Sequence, residues 1–138
     1  MRMTIEGVNP PVRKTKGSCG YDVFCPRDVN LSRFVPVDVD LGIQMDPGDI
    51  PEGCFAMLVP RSSTGSRYGL RLRNTVGIID SSYTMDTIKA TLYVDCPEGR
   101  VFRKNERILQ LVIVPYAVIP GETEPTEERV GGVGSTGA

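Results

Sequence analysis

The 138-residue sequence contains no histidine and no tryptophan. The absence of histidine excludes a Ser-His-Asp triad, a Cys-His dyad and every zinc site that depends on histidine ligands. Any acid–base chemistry must therefore use the side chains of Asp, Glu, Lys, Tyr or Cys.

Long apolar runs and an excess of one charge are also missing. No run approaches the ~20 apolar residues of a membrane span, and residues 1–6 do not form an apolar signal segment. The 16 Lys and Arg residues nearly balance the 17 Asp and Glu residues, which gives a net charge of −1. Nucleic-acid-binding proteins usually carry a basic face. The sequence therefore predicts a cytoplasmic or otherwise intracellular protein that binds neither membranes nor nucleic acid.

The four cysteines do not follow a metal-binding or redox pattern. None of Cys19, Cys25, Cys54 and Cys96 is in C-x-x-C spacing. In a chain without an export signal, such cysteines are usually small hydrophobic side chains of the core. We therefore expect all four to be buried.

Alternating and continuous apolar segments predict a β-rich domain. Residues 37–44 and 88–95 alternate between apolar and polar side chains, and residues 54–59 and 108–114 are short apolar runs. Alternation of this kind is typical of half-buried strands. Turn-forming Asp-Pro-Gly-Asp and Cys-Pro-Glu-Gly sequences separate the segments. Many short strands joined by Gly and Pro turns favour a β-sandwich or a β-barrel.

The C-terminal segment, residues 121–138, has few core-forming side chains and is rich first in Glu and then in Gly. Such a segment cannot bury enough apolar surface to offset its ordering entropy. We therefore divide the chain into a β domain, residues 1–120, and a flexible glycine-rich arm, residues 121–138. The arm is either a disordered tail or a segment that becomes ordered when a ligand binds.

Two segments have the composition of phosphate-binding loops. Residues 60–66 supply one fixed cation, Arg61, with several hydroxyl groups and a glycine, and phosphate oxygens bind such groups. Residues 131–137 combine four glycines with two hydroxyl groups, so their backbone can approach a ligand closely. Each segment taken alone is also typical of a solvated loop.

Three side chains near strand ends are candidates for catalysis or ligand binding. Asp80 follows the β-branched residues of a Gly-Ile-Ile-Asp segment, so it is either a turn-capping residue or a carboxylate that activates water. Tyr83, three residues later, is then a candidate stacking platform. Asp22 follows Gly-Tyr and is either a turn former or part of a metal coordination shell.

Taken together and in order, these segments resemble the trimeric dUTPase family, which is recognised by five short motifs spread over nearly the whole chain. Each motif is short, but five of them in this order between residues 19 and 137 make a specific match. The matching segments are Cys19-Gly20-Tyr21-Asp22, Pro60-Arg61-Ser62-Ser63, Gly77-Ile78-Ile79-Asp80 with Tyr83, Glu106-Arg107-Ile108-Leu109-Gln110-Leu111, and Gly131-Gly132-Val133-Gly134-Ser135-Thr136-Gly137.

The resemblance implies a distorted jelly-roll β-barrel subunit and a homotrimer with active sites at the subunit interfaces. It implies hydrolysis of dUTP to dUMP and pyrophosphate, which keeps uracil out of DNA and supplies dUMP for thymidylate synthesis. It also implies Mg²⁺ as the cofactor, bound to the triphosphate, whose charge it neutralises. Phosphoryl transfer depends mainly on positioning and charge stabilisation, so it does not require histidine.

The resemblance also implies roles for individual residues. Asp80 would activate the water that attacks the α-phosphorus, and Tyr83 would pack against the deoxyribose and leave no room for a 2′-hydroxyl. Asp22 would lie in the outer coordination shell of Mg²⁺. The other substrate-binding residues are Asn74, Ile78, Ile79 and Lys89 in the hairpin that reads uracil, Arg61, Ser62, Ser63 and Gln110 at the phosphates, and Arg129, Val133, Gly134, Ser135 and Thr136 in the arm that closes over the nucleotide.

The sequence departs from the family pattern at the edge of the expected site. The fifth motif usually has a Phe that stacks on uracil, and this chain has Val133 there. Glu128 stands where the motif usually opens with Arg, and Arg129 follows one residue later. Because base stacking contributes roughly 1–3 kcal/mol, we expect weaker closure of the arm or another partner for the base. In the third motif, Ser82 replaces the usual acid.

Two alternative functions remain open. A dCTP deaminase shares the fold and part of the motif pattern, but its chemistry requires a carboxylate on the strand after the third motif, and residues 87–94 contain none. A regulatory binding protein on the dUTPase scaffold is compatible with the altered fifth motif. The presence of Asp80 favours the enzyme over this regulator, because a protein without catalysis does not need the acid.

Overall fold

The computed structural model of the chain describes residues 1–129, which form ten β-strands and one short helix. The expected all-β fold class is therefore confirmed. No helix among these residues is long and apolar enough to cross a membrane. The elements are β1 (Arg2–Met3), β2 (Gly20–Phe24), β3 (Val29–Leu31), β4 (Val37–Gln44), β5 (Cys54–Pro60), α1 (Ser62–Tyr68), β6 (Arg71–Leu72), β7 (Gly77–Asp80), β8 (Ile88–Tyr93), β9 (Arg100–Phe102) and β10 (Arg107–Pro115).

The strands form two four-stranded antiparallel sheets and a two-stranded ribbon. The first sheet has the order β1-β4-β8-β6, the second has the order β2-β10-β5-β7, and the ribbon pairs β3 with β9. Side chains from all three contribute to one hydrophobic core, which includes Leu41, Leu58, Leu92 and Leu109, each no more than 2% exposed. Two sheets around one core are the jelly-roll type of fold. Within residues 1–129 the sheets remain separate rather than closing into one barrel.

Four strands lie where the apolar pattern predicts them. β4 and β8 cover the two alternating segments, and β5 and β10 cover the two apolar runs. Both expected turns form, with hydrogen bonds from Asp49 N to Asp46 O (3.0 Å) and from Gly99 N to Cys96 O (3.1 Å). In β4 and β8, local sequence was sufficient because a one-residue shift would expose the apolar face.

Helix α1 replaces the loop expected at residues 60–66. Ser and Gly are weak helix formers, yet Ser62–Tyr68 is helical. The hydroxyl of Thr64, a buried residue, donates a hydrogen bond to the Ile108 carbonyl at 2.8 Å, which fastens the helix to β10. Gly69 ends the helix in the left-handed conformation, with φ of 61°. A tertiary contact therefore overrides the weak local propensity.

All four cysteines are free, but they are not equally buried. Cys25 is 1% exposed, and burial raises the pKa of its thiol to about 11. Cys54 and Cys96 are partly buried against the core. Cys19 is exposed because it lies in the loop before β2. The expectation of buried cysteines is therefore correct for Cys25 and wrong for Cys19.

Gly99 is a position where a side chain would meet the backbone of another strand. We predict that Gly99→Ala lowers the free energy of unfolding by about 2–3 kcal/mol through strain and overpacking. The added Cβ would lie 2.6 Å from the Leu31 carbonyl oxygen, at a φ of +66°. Denaturant unfolding at one protein concentration measures the loss.

The matched control is Gly48→Ala, at a turn that has the same left-handed backbone, with φ of +90°, but open space around the Cβ. This variant should lose only about 1 kcal/mol, from backbone strain. Equal losses in the two variants would show that strain alone, and not the contact with Leu31, limits Gly99.

Candidate active site

A cavity of about 330 Å³ opens where β2 and β10 meet the start of α1. It brings together the first, second and fourth of the segments singled out in the sequence. Its wall includes Lys14, Cys19, Asp22, Arg61, Arg107 and Gln110. Three cations face one anion in this wall, and we refer to it as the basic cavity.

Asp22 on β2 holds two arginine side chains in the wall of the basic cavity. Its carboxylate accepts hydrogen bonds from Arg61 Nε at 3.0 Å and from Arg107 Nη1 at 3.2 Å. The Asp22 side chain is 15% exposed, so the pairs are partly shielded from solvent. Guanidinium groups bind the oxygens of phosphates in a forked, planar geometry. The cavity is therefore suited to an anion with several oxygens.

Arg107 is a site residue to which the sequence analysis gave no role. It lies three positions before Gln110 on β10, and residues three apart in a regular strand point to opposite faces. The pairing of β10 with β2 shifts register between Arg107 and Leu109. A bulge of this kind re-aims a side chain, so Arg107 reaches the same cavity as Gln110. The only signal in the sequence was its place in the fourth motif.

The described residues do not form a metal site of their own. Within residues 1–129, no group of three or more His, Cys, Asp or Glu side chains could hold a metal ion. Both carboxylate oxygens of Asp22 accept hydrogen bonds from arginines, so a place in the outer coordination shell of Mg²⁺ stays a prediction for Asp22. The residues present fit Mg²⁺ only where a ligand such as a triphosphate supplies most of the oxygens.

Gln110 occupies the space that the absence of a side chain at Gly20 leaves open. Its Nε2 donates a hydrogen bond to the Pro60 carbonyl at 3.2 Å. A Cβ on Gly20 would lie 2.3 Å from Gln110 Oε1 and 3.3 Å from the amide carbon. Gly20 of the first motif therefore leaves room for the side chain of Gln110 in the fourth motif, because any larger residue at position 20 would overlap it.

Asp80 ends β7, the outermost strand of the second sheet. β7 pairs with β5 alone, so its other backbone edge faces no strand among residues 1–129. Ile79 is buried in the core, whereas Ile78 is 60% exposed on the opposite face. The side chain of Asp80 is 52% exposed, and the alternation of the strand places it on the same face as Ile78. The carboxylate is accessible to a ligand bound at the free edge of β7.

Tyr83 is buried in the loop that joins β7 to β8; these strands lie in different sheets and do not pair, so the hairpin expected between residues 74 and 89 does not form. Tyr83 is 8% exposed, its backbone N–H donates to the Asp80 carbonyl at 3.0 Å, and its hydroxyl donates to the Thr87 carbonyl at 3.0 Å. Burial raises the pKa of the Tyr83 hydroxyl. These two hydrogen bonds hold Tyr83 in place three residues after Asp80. Its hydroxyl remains protonated at neutral pH because its pKa is raised.

Arg129, the last residue that the structure describes, contacts the end of β7 and the loop that follows it. Its Nη2 donates to Asp80 Oδ2, and its Nε donates to Ser82 Oγ at 3.2 Å. Its guanidinium carbon lies 5.7 Å from the centre of the Tyr83 ring. The start of the arm can therefore reach the acid and the tyrosine together. The other expected arm residues, Val133, Gly134, Ser135 and Thr136, lie outside the described residues.

The remaining expected residues are distributed between two places. Ser62 lines the basic cavity, whereas Ser63 is half-buried in the first turn of α1. Asn74 and Lys89 line a second cavity of about 670 Å³ beside β4 and β8. Lys89 Nζ is paired there with Asp86 at 2.9 Å. One chain therefore places the expected uracil-reading residues apart from the phosphate-binding ones and does not bring them together, because Ile78 and Ile79 lie on β7 of the other sheet and do not line this second cavity.

The model of the dUTPase family matches residues 7–137 of the sequence. The chain belongs to the dUTPase family. The match includes all five motif segments, and it confirms the family that those segments resemble.

Two curated members are deoxyuridine 5′-triphosphate nucleotidohydrolases. The protein of Paramecium bursaria Chlorella virus 1 is 30% identical over 141 residues, which cover 99% of this chain and 96% of the relative. The protein of Hydrogenobaculum sp. strain Y04AAS1 is 37% identical over 132 residues, which cover 92% and 89%.

Solved structures of the family have the same fold. The dUTPase of Streptococcus mutans is 28% identical, with a TM-score of 0.69 over 86% of this chain and 97% of that one. A mutant dUTPase of phage phi11 of S. aureus is 22% identical, with a TM-score of 0.73 over 92% and 95%. The phi11 structure describes the coordination of a structural Mg(II) ion in that protein.

Proposed function

We propose that this chain hydrolyses Mg²⁺-bound dUTP to dUMP and pyrophosphate, with Asp80 activating the water that attacks the α-phosphorus. The observation that carries the proposal is the convergence of Asp22, Arg61, Arg107 and Gln110 on one basic cavity. The curated relatives are deoxyuridine 5′-triphosphate nucleotidohydrolases, which supports dUTP as the substrate. Hydrolysis of dUTP would keep uracil out of DNA and supply dUMP for thymidylate synthesis.

The basic cavity is suited to the phosphates of dUTP. Hydrogen bonds between charged partners contribute about 1.5–3 kcal/mol each, and the cavity offers Arg61, Arg107 and the amide of Gln110. Mg²⁺ would be held mainly through the oxygens of the triphosphate, and its role there would be to offset negative charge that Lys14, Arg61 and Arg107 alone do not balance. The structural Mg(II) ion of the phi11 relative is consistent with a role for this ion in the family.

The free edge of β7 is suited to reading uracil by backbone hydrogen bonds. The pairing edge of uracil presents an acceptor, a donor and an acceptor, and a strand edge offers alternating N–H and C=O groups. Cytosine presents a donor where uracil has the O4 acceptor, so the same backbone groups would be left unpaired. A site built to hydrogen-bond one pattern strongly rejects the other. Ile78 and Ile79 therefore take part through their main chain, at an edge next to Asp80.

The acid and the basic cavity of one chain lie far apart. Asp80 pairs with Phe55 near the start of β5, whereas Gln110 pairs with Val59 near its end. Four residues along a strand and two strand spacings correspond to about 16 Å between the Cα atoms of Asp80 and Gln110. Reacting atoms must approach to about 3.5 Å. Each active site therefore combines the basic cavity of one subunit with Asp80 of a neighbouring subunit, in the homotrimer that the family resemblance implies.

The surface between Asp80 and the basic cavity is apolar, which supports this assembly. Ile78, Met57 and Val112 lie in register across β7, β5 and β10, so their side chains share the outer face of the sheet. Apolar strips of this kind often mark interfaces between proteins. A second copy seated on the strip would bury it and bring its own cavity towards Asp80, in a closed symmetric assembly.

A panel of nucleotides tests the substrate and the reaction. The purified protein is given dUTP, dCTP, dTTP or UTP with Mg²⁺, and pyrophosphate and ammonia are measured. We expect pyrophosphate from dUTP alone. Ammonia from dCTP would establish a deaminase instead, and no product from any nucleotide would favour a regulatory protein.

A complementation experiment tests whether the site is shared between subunits. Assayed at dUTP concentrations well below KM, where the rate reports kcat/KM, Asp80→Asn and Arg61→Gln are each expected to keep about 1% of wild-type activity or less. The two variants are mixed, unfolded together and refolded. If each site takes its cavity and its acid from different subunits of a closed oligomer, about one quarter of the sites recover both wild-type groups. A mixture that stays as inactive as its components would place the acid and the cavity of each site in the same chain.

Gly20→Ala tests the link between the first and fourth motifs. The new Cβ would displace the flexible end of the Gln110 side chain, so we predict that KM for dUTP rises about 5- to 10-fold. The thermal unfolding midpoint should change by less than about 3 °C, because the displaced group is a side-chain end and not backbone. Gln110→Ala should produce a similar rise in KM, and the double variant no more than that. Additive effects would contradict a shared cause.

A further inference from the structure

Lys14 is the cation of the basic cavity that no described residue neutralises. Arg61 and Arg107 both donate hydrogen bonds to Asp22. Lys14 lines the same cavity, and within residues 1–129 its ammonium group forms neither a salt bridge nor a hydrogen bond. Its three donors are therefore available to a ligand.

The loop that carries Lys14 is closed and internally bonded. At its base, Val12 and Asp22 exchange backbone hydrogen bonds of 3.2 and 2.8 Å. Across the loop, Arg13 Nη1 donates to the carbonyls of Lys16 at 3.2 Å and Ser18 at 3.0 Å. Lys14 thus lies two residues after Val12, whose backbone pairs with that of Asp22, and the Asp22 carboxylate holds both arginines. The loop therefore places Lys14 in the wall of the cavity.

We propose that Lys14 is a substrate-binding residue that contacts the β- and γ-phosphates of dUTP, the pair that leaves as pyrophosphate. This inference rests on the proposed function and extends it. The two arginines share their charge with Asp22, whereas the charge of Lys14 is uncompensated. A mobile ammonium group is suited to the exposed, highly charged end of a polyphosphate, where it acts as a point charge. Lys14 therefore favours a triphosphate over a monophosphate ligand.

The experiment compares Lys14→Gln with the matched control Lys16→Gln. Both substitutions remove one positive charge from the same loop, but Lys16 does not line the basic cavity. We expect Lys14→Gln to weaken the binding of inorganic pyrophosphate, measured by calorimetry with Mg²⁺, and to raise KM for dUTP, each by about 5- to 10-fold. The Kd of dUMP should change less than about 2-fold, because dUMP lacks the phosphates that Lys14 contacts. Lys14→Arg should restore pyrophosphate affinity, and added salt should reduce the difference from wild type.

Several results would overturn the assignment. Equal effects of Lys14→Gln and Lys16→Gln would show that only the net charge of the loop matters. Equal weakening of dUMP and pyrophosphate would place Lys14 at the α-phosphate, and a wild-type protein that does not bind pyrophosphate would remove the site. Failure of dUTP hydrolysis by the wild type would refute the proposed function alone, because the pyrophosphate titration does not depend on catalysis.

Discussion

Asp80→Asn is expected to lower kcat for dUTP hydrolysis by about 1,000-fold, within the range for loss of a general base. The substitution keeps the size of the side chain and removes the negative charge that draws a proton from the attacking water. Asp80 is half exposed at the end of β7, so the variant should fold normally. Binding of a non-hydrolysable α,β-imido analogue of dUTP should be retained or slightly tighter, because a negative charge near the phosphates is removed. Single-turnover kinetics and equilibrium binding measure the two quantities separately.

The control for this charge change is Asp28→Asn. Asp28 is an exposed acid that is paired with Arg103 away from the site, and its substitution should leave kcat within about 2-fold of wild type. A kcat near that of the wild type for Asp80→Asn would refute its role as the base. A parallel loss of nucleotide binding would instead make Asp80 a binding or structural residue.

Arg61→Gln is expected to lower kcat/KM for dUTP about 100-fold, the effect of losing one or two charge-assisted hydrogen bonds to phosphate. Most of this loss should appear as a rise in KM rather than a fall in kcat, because the guanidinium contacts the phosphates in both the ground state and the transition state. Asp22 retains its hydrogen bond from Arg107, so the remaining carboxylate is not left without a partner. We therefore expect the free energy of unfolding to fall by less than about 1 kcal/mol. Steady-state kinetics and denaturant unfolding check these values.

Arg71→Gln is the matched control for Arg61→Gln. Arg71 also forms an ion pair with an aspartate, Asp95, but it is 58% exposed and lies outside the basic cavity. Its substitution should leave kcat/KM within about 2-fold of wild type. If both variants lost activity equally, the effect would come from the overall charge of the protein and not from the cavity. If Arg61→Gln alone unfolded, its pair with Asp22 would be structural.

Much of the fold could be predicted from local pattern. The alternation in β4 and β8 reports directly which side chains face the core, since neighbouring strand residues point to opposite faces. Helix α1 could not be predicted in this way, because its Ser and Gly residues have low helix propensity. It depends on the contact of Thr64 with Ile108, 44 positions away in the chain. The exposure of Cys19 likewise follows from its position in a loop and not from its residue type.

The residues of the candidate site also fall into two groups, those that the local sequence identifies and those that only tertiary contacts reveal. Arg61, Asp80 and Gln110 are identifiable because each lies in a short motif whose residue types suit phosphate binding or catalysis. Arg107 was not assigned a role because a regular strand would point it away from Gln110, and only the bulge in β10 brings it to Asp22. The free charge of Lys14 was not identifiable either, since it depends on which acids the fold brings near. Local spacing does not contain that information.

Residue types and their order along the chain are enough to indicate the class of chemistry and the family. The absence of histidine excluded several catalytic centres, and five motifs in order indicated a dUTPase, because motif residue types and order are properties of the chain alone. The folded structure alone brings two arginines to one carboxylate, across separations of 39 and 85 residues. It also placed the acid and the basic cavity at opposite ends of β5. Strand register fixes both features, and register is set by pairing between distant segments rather than by the residues of one strand.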